Sequence, residues 1–180
     1  NTEFLQRYFV AGSQNFPDLT LPECEGRIAL MMQSGITAYQ FREKNPTLST
    51  DEKQALALRL RAKARELAVP FIVDDDVALA IAIEADGIHV GQDDMPITDV
   101  VAQVAGQMIV GLSVRNKAEM VAAQSVMGID YLGVGPVFAT TTKADAAAPL
   151  GLDGLMTTLN ANTKQLPTVA IGGITLEDLP

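Results

Sequence analysis

The sequence has no tryptophan, one cysteine and one histidine, and only 5% of its 180 residues are aromatic. A single cysteine, Cys24, closes no internal disulfide; it falls in a stretch that reads as a helix, where a buried, inert thiol is expected. A single histidine, His89, cannot build a multi-histidine metal centre, and its place inside a short aliphatic run reads as a satisfied structural residue. Neither sits in a recognisable Cys/His or Ser/His pattern, so no nucleophile is assigned. Positive charge is scarce too: 13 Lys and Arg against 22 Asp and Glu leave a formal charge of −9. Such a surface repels polyanions, which argues against nucleic acid or an anionic membrane bound through a general basic face. No apolar run approaches the ~20 residues of a membrane span. The first residues lack the basic-then-apolar layout of a secretory signal. A soluble protein of a reducing cytoplasm is expected.

What the sequence has in quantity is small aliphatic side chains, within a hydrophobic share of 48%. They suit buried parallel strands covered by helices, and the length suits one domain over residues 1–180. Short aliphatic runs alternate with helical patterns throughout, as in repeated βα units. Strands are expected near Tyr8–Val10, Ala38–Arg42, Phe71–Asp74, Gly87–Val90, Met108–Ser113, Tyr131–Gly135 and Thr168–Ile171. Asp51 to Leu67 reads as a helix, with Leu56, Leu60, Ala64 and Leu67 spaced by three and four and a cap at Ser49 or Thr50. Asn116 to Met127 reads likewise, on Ala118, Val121, Ala122 and Met127. The fold class is α/β, a TIM (β/α)8-type barrel; with seven strands against the eight of a closed barrel, the C-terminal βα unit is expected to be missing. Thr140 to Leu150 has no period and reads as a long loop of the kind that closes over substrates.

Four features on these strands carry chemistry. Gln40, Arg42 and Lys44 alternate, so an extended chain puts an amide and two cations on one face, with Tyr39 and Phe41 on the other; the competing reading is an edge strand with a solvated face. Asp74, Asp75 and Asp76 end the third strand, and Asp93 and Asp94 follow the fourth. Active sites of barrels lie at C-terminal strand ends, and carboxylates crowded there invite a hard cation such as Mg²⁺; the competing reading makes Asp76 and Asp94 helix or turn caps. Thr140, Thr142 and Lys143 follow Gly133-Val134-Gly135-Pro136, and Gly172-Gly173 follows the last strand. Bare glycine N–H groups beside a helix start form an anion site, and late strands are the usual phosphate position in barrels. Ser113, at the end of the fifth strand, is either a ligand contact or a turn residue.

Taken in order, Gln40-Phe41-Arg42-Glu43-Lys44, Phe71-Ile72-Val73-Asp74-Asp75, Gly87-Ile88-His89-Val90-Gly91-Gln92-Asp93-Asp94, Gly133-Val134-Gly135-Pro136-Val137-Phe138, Thr140-Thr141-Thr142-Lys143 and Ala170-Ile171-Gly172-Gly173-Ile174 resemble the thiamine phosphate synthase family over nearly the whole chain. The resemblance implies a Mg²⁺-dependent transferase that joins a hydroxymethylpyrimidine diphosphate to a thiazole phosphate and releases pyrophosphate. It implies that Arg42, Lys44 and Lys143 hold the diphosphate, that Asp75 and Asp94 are Mg²⁺ ligands, and that Gln40 and Ser113 address the pyrimidine. Thr140, Thr142 and the Gly173 backbone would bind the thiazole phosphate. Asp74 stands where the family usually has Asn. The implied partners are these two small molecules; a homo-oligomer is left open. Two alternatives stay beside this reading: a thiazole tautomerase-like relative, and a non-catalytic protein that binds thiamine precursors.

Overall fold

The structure is a computed structural model that describes residues 2–104, 106–140 and 147–178. Its chain forms two compact units, Asn1–His89 with Val104–Ile109, and Val90–Gln103 with Val110–Pro180.

The first unit begins with a 3₁₀ turn at Glu3–Leu5, then β1 (Tyr8–Ala11), a second 3₁₀ turn at Ser13–Asn15, α1 (Leu21–Gln33), β2 (Ala38–Phe41), α2 (Thr50–Glu66), β3 (Phe71–Asp74), α3 (Val77–Ala82) and β4 (Gly87–Val90). The strands pair in parallel in chain order, with Val10 opposite Gln40, Phe41 opposite Val73 and Asp74 opposite His89. Short apolar strands make parallel neighbours only when helices cover them, and all four residues of β2 and of β4 are buried. Tyr39 stacks on Phe9 at 5.7 Å between ring centroids and meets Phe71 edge-on at 5.5 Å, and Phe71 stacks on Phe41 at 5.7 Å. These rings form the centre of the helix-covered side; the Tyr39 hydroxyl donates to the Ala11 carbonyl, so its burial leaves no polar atom unmatched.

Helix α2 shows why local sequence and structure agree. Ser49 accepts from the Glu52 N–H and Glu52 accepts from the Ser49 N–H and hydroxyl, a closed capping box. Leu56, Leu60 and Ala64 are buried, as their spacing predicts, while Leu67 is the C-cap and is 36% exposed. Helix α1 carries a similar box between Thr20 and Glu23 and buries Cys24. Burial, then the neighbouring Glu43 and Glu23 charges, push the Cys24 thiol above its ordinary pKa, the state of an inert thiol.

The second unit holds α4 (Ile97–Val104) and β5 (Ile109–Val114) except for Val104 and Ile109, then α5 (Lys117–Ala123), β6 (Tyr131–Val134), α6 (Gly151–Asn160), β7 (Thr168–Ala170) and a 3₁₀ turn at Leu176–Asp178. Strands β5, β6 and β7 pair in parallel, with Ser113 opposite Gly133 and Val134 opposite Ala170. Helix α5 departs from its expected pattern. It ends at Ala123 rather than near Met127, and buries Met120 and Ala123, whereas Ala118, Val121, Ala122 and Met127 face out, Met127 at 90% exposure. The cause is Gln124. Its amide donates to the Met120 and Ala161 carbonyls and accepts from the Lys164 N–H and the Thr163 hydroxyl, so the buried face is fixed on that side and the chain turns at Gly128, φ +92.

Candidate active site

In the first unit, β2 and β3 deliver their polar residues to one end. Gln40 is buried within β2 and donates to the Tyr8 hydroxyl at 2.9 Å. The ladder continues one step past β2, where the Arg42 N–H donates to the Ala11 carbonyl. Arg42 is half-buried and its Nε lies 3.3 Å from Asp74 Oδ2. Lys44 Nζ lies 3.6 Å from the same Asp74 oxygen and donates to Asp75 Oδ2. Arg42, Lys44, Asp74 and Asp75 therefore form one alternating array of charge at the ends of two neighbouring strands. Burial would lower the Lys44 pKa, but the Asp75 hydrogen bond and the Asp75 and Asp74 charges prevail over it and over Arg42, and the ammonium is held above its usual value. Lys44 therefore stays cationic.

The three consecutive aspartates have three different settings. Asp74 is the last residue of β3 and faces the two cations. Asp75 has a positive φ of +64, a conformation that Asp tolerates better than most, and its N–H donates to the His89 carbonyl, so its carboxylate is aimed by the backbone. Asp76 is the N-cap of α3, accepting from the Leu79 N–H at 3.0 Å and from Lys53 Nζ at 3.0 Å. The expected capping role thus falls to Asp76. His89 is buried in β4, as a structural histidine would be.

Two residues that sequence reasoning passed over support this array. Gln14 and Glu43 bind the backbone around Arg42 and Lys44. A signal was available: Glu43 continues the alternate series of Tyr39 and Phe41, the apolar side of the strand, and a carboxylate there needs a dedicated set of donors.

In the second unit, Asp94 is exposed and its Oδ2 accepts from the Gly91 N–H at 2.7 Å, closing the turn after β4, while α4 starts at Ile97. Asp93 pairs with Arg115, which is also held by Glu119. Ser113 lies one residue before the end of β5, half-buried, and its carbonyl accepts from the Gln92 amide. Gly172 and Gly173 have φ of +99 and +67. A Cβ on Gly172 would lie 2.6 Å from Pro136 Cα, and one on Gly173 would lie 2.5 Å from the Ala139 carbonyl oxygen. The Phe138 N–H donates to the Gly172 carbonyl and the Val137 N–H to that of Ile171. The glycines are thus required by their backbone conformation and by close packing against residues 136–139. Thr140 is half-buried at the end of that stretch; Thr142 and Lys143 lie outside the described residues.

The donors on offer to a metal are carboxylate oxygens, the ligand class of Mg²⁺. Among the described residues no three His, Cys, Asp or Glu side chains gather to hold an ion by themselves. That donor set fits an ion that takes one or two carboxylates and keeps its remaining positions for water and phosphate. No helix among the described residues is long and apolar enough to cross a membrane.

The chain has known relatives. A protein of Levilactobacillus brevis named thiamine-phosphate synthase is 49% identical over 178 residues, covering 98% of this chain and 80% of that one. One of the same name from Lactococcus lactis subsp. lactis is 48% identical over 177 residues, covering 97% and 80%. The solved thiamine phosphate pyrophosphorylase of Pyrococcus furiosus superposes with a TM-score of 0.81 at 34% identity, over 97% of this chain and 78% of that chain. The fold class is accordingly the TIM-type (β/α) barrel, with seven strands among the described residues. A solved 3-hexulose-6-phosphate synthase, 13% identical with a TM-score of 0.65 over 96% and 82% of the two chains, shares the fold alone. A family model described as thiamine monophosphate synthase matches residues 7–180, and with that match and these relatives the chain belongs to the thiamine monophosphate synthase family.

Proposed function

We propose that the chain is a transferase that condenses 4-amino-2-methyl-5-hydroxymethylpyrimidine diphosphate with thiazole phosphate, giving thiamine phosphate and pyrophosphate. Membership of the family supports the condensation. The observation that carries the assignment of residues is the array of Arg42, Lys44, Asp74 and Asp75 at the ends of β2 and β3. A diphosphate that leaves takes a pair of electrons with it, and catalysis requires fixed positive charge where that charge develops. Arg42 and Lys44 are such charges, and Asp74 and Asp75 keep both side chains aimed before substrate arrives. Lys143 completes the cationic set in this reading.

In the reaction the bond between the pyrimidine methylene carbon and the diphosphate oxygen breaks, leaving a carbocation stabilised by the pyrimidine. The lone pair of the thiazole nitrogen then forms the new carbon–nitrogen bond. The nucleophile is already neutral and carries no proton to remove, so a general base is not needed. Gln40 and Ser113 address the pyrimidine; Thr140, Thr142 and the Gly173 backbone take the thiazole phosphate, which turns binding energy into orientation. Asp75 and Asp94 would hold Mg²⁺, which when bound neutralises charge on the diphosphate.

The test is release of pyrophosphate from the two substrates with and without Mg²⁺. Release that needs both substrates and the metal, and that is lost in Asp75→Ala and Asp94→Ala, is the expected result. Binding of either substrate without release would reduce the protein to a carrier of thiamine precursors, and turnover of a thiazole alone would make it a tautomerase.

A further inference from the structure

Strand β2 ends at Phe41, yet Arg42 and Lys44 still project at alternate positions as if the strand went on. Its neighbour β1 holds only the first step: Ala11, its last residue, accepts from the Arg42 N–H, and at Gly12 the chain turns into the 3₁₀ turn Ser13–Asn15. The turn brings the Gln14 side chain back against β2. Its Nε2 donates to the Arg42 carbonyl at 2.6 Å, and its Oε1 accepts from the Lys44 N–H at 3.0 Å. A primary amide that donates to the carbonyl of one residue and accepts from the N–H two residues on supplies the bonds that a parallel neighbour would supply. Gln14 prolongs the ladder with a side chain.

Glu43, between the two cations, faces the other way and is 6% exposed. Its Oε2 accepts from the Ser13 N–H at 2.8 Å; its Oε1 accepts from the Ser13 hydroxyl at 3.0 Å and from the Asn45 N–H at 2.9 Å. Asn45 Nδ2 donates back to the Ser13 hydroxyl oxygen at 3.1 Å. Each carboxylate oxygen thus meets a backbone N–H. A glutamine amide, turned either way, would set its NH₂ against one of them, so the site demands an acceptor on both sides. Gly12 lets the two segments meet: a Cβ there would lie 2.1 Å from the Arg42 carbonyl oxygen and 2.5 Å from Gln14 Oε1.

We infer that Gln14 and Glu43 are positioning residues for the diphosphate site: together they clasp residues 42–45 from both sides of the chain and fix where the Arg42 and Lys44 cations stand, without touching substrate themselves. The inference rests on the reading that Arg42 and Lys44 bind the diphosphate. Because the clasp holds the peptide that links those two cations, its loss falls on the diphosphate partner of the reaction and spares the thiazole partner.

The experiment uses the full chain and three variants, Gln14→Ala, Glu43→Gln and Arg42→Ala. Calorimetric titration with inorganic pyrophosphate and Mg²⁺ gives binding without turnover, and steady-state rates give a KM for each substrate. Gln14→Ala and Glu43→Gln are each expected to weaken pyrophosphate binding about 10-fold, the lower end of what losing a supporting partner of a ligating group costs. The KM for the pyrimidine diphosphate rises with it, while that for thiazole phosphate stays unchanged. Equal rises in both KM values, or a lower melting temperature with unchanged pyrophosphate binding, would overturn the positioning role. If Arg42→Ala loses pyrophosphate and the clasp variants do not, the inference fails and the functional reading stands; if Arg42→Ala binds pyrophosphate as the parent does, both fall. Should Glu43→Gln not fold, Gln14→Ala, altered at a half-buried position, decides alone.

Discussion

In the proposed site the strand ends of the first unit would act through side chains, and those side chains hold one another: Arg42 and Lys44 against Asp74 and Asp75, with Lys53 against Asp76 beside them. The turn after β7 in the second unit would act through its backbone, two glycines at positive φ packed against residues 136–139. The first arrangement can lose one member and keep its fold, because the other charges remain solvated or paired. The second cannot gain a single methyl group without moving main chain. On the proposed reading, function and stability are therefore separable at β2 and β3 and inseparable at β7.

Arg42→Ala tests the separable half and should have the largest effect. Removing one fixed donor from a site of developing charge costs on the order of 10²–10³ in rate. Initial rates of pyrophosphate release should fall by that factor while the melting temperature stays near that of the parent; a loss below a few-fold would remove Arg42 from the site.

Gly173→Ala tests the inseparable half. At φ +67, and with its Cβ 2.5 Å from the Ala139 carbonyl oxygen, alanine there is strained by roughly 1–3 kcal/mol. The expected outcome is a lower melting temperature and a raised KM for thiazole phosphate in the same variant. A stable protein with only the KM changed would contradict the packing argument.

The same contrast explains what could be read from the residues alone. Side-chain sites announce themselves, since Gln40, Arg42 and Lys44 alternate visibly, and the aspartates of β3 cluster in one tripeptide. The strands were legible to within a residue or so at each end, because buried parallel strands are short aliphatic runs between glycine, proline and helix caps. Gln14 was not legible: its role is to bond the backbone of residues 42 and 44, about thirty positions away, and any amide in any turn looks alike before the chain is folded. Helix α5 misled for a related reason. Ala118, Val121 and Ala122 have the spacing of a buried stripe, but the Gln124 network fixes the opposite side inward, a choice made by tertiary contacts.

Asp76 sharpens the comparison from inside the first unit, because it adjoins the charged array and yet works for stability. Asp76→Ala removes the N-cap of α3 and the Lys53 partner, for about 1 kcal/mol. Burial alone would raise the Asp76 pKa, but the Leu79 N–H, the Lys53 hydrogen bond and the charges of Lys53 and Lys44 outweigh it and hold the carboxyl below its usual value. A depressed folded value means that the contribution is whole above the unfolded carboxyl pKa of about 3.9 and is lost as pH falls through the folded one. Denaturant unfolding of parent and variant should differ at pH 7 and converge on acidification below about pH 4, with kcat/KM little altered at neutral pH. A gap that does not close in acid would assign the stability to something other than the ionised cap.

The smallest effect expected comes from Asp74, one of the two carboxylates in the array, whose charge opposes that of a diphosphate. An ionised carboxylate only accepts, so it cannot bond a phosphate oxygen, whereas asparagine in its place could donate. Asp74 instead faces Arg42 at 3.3 Å and Lys44 at 3.6 Å and offsets part of the positive charge that the diphosphate needs. On the proposed reading, more of the neutralisation would then come from Mg²⁺. Asp74→Asn frees the two cations, so the KM for the pyrimidine diphosphate should fall a few-fold at low Mg²⁺ and change little at saturating Mg²⁺, where the metal already supplies the charge. The measurement is KM against Mg²⁺ concentration for parent and variant, at constant ionic strength so that screening does not mimic the effect. Curves that coincide would mean that Asp74 serves only to aim Arg42 and Lys44. A KM raised at every Mg²⁺ concentration would mean that aiming the two cations outweighs the charge it offsets.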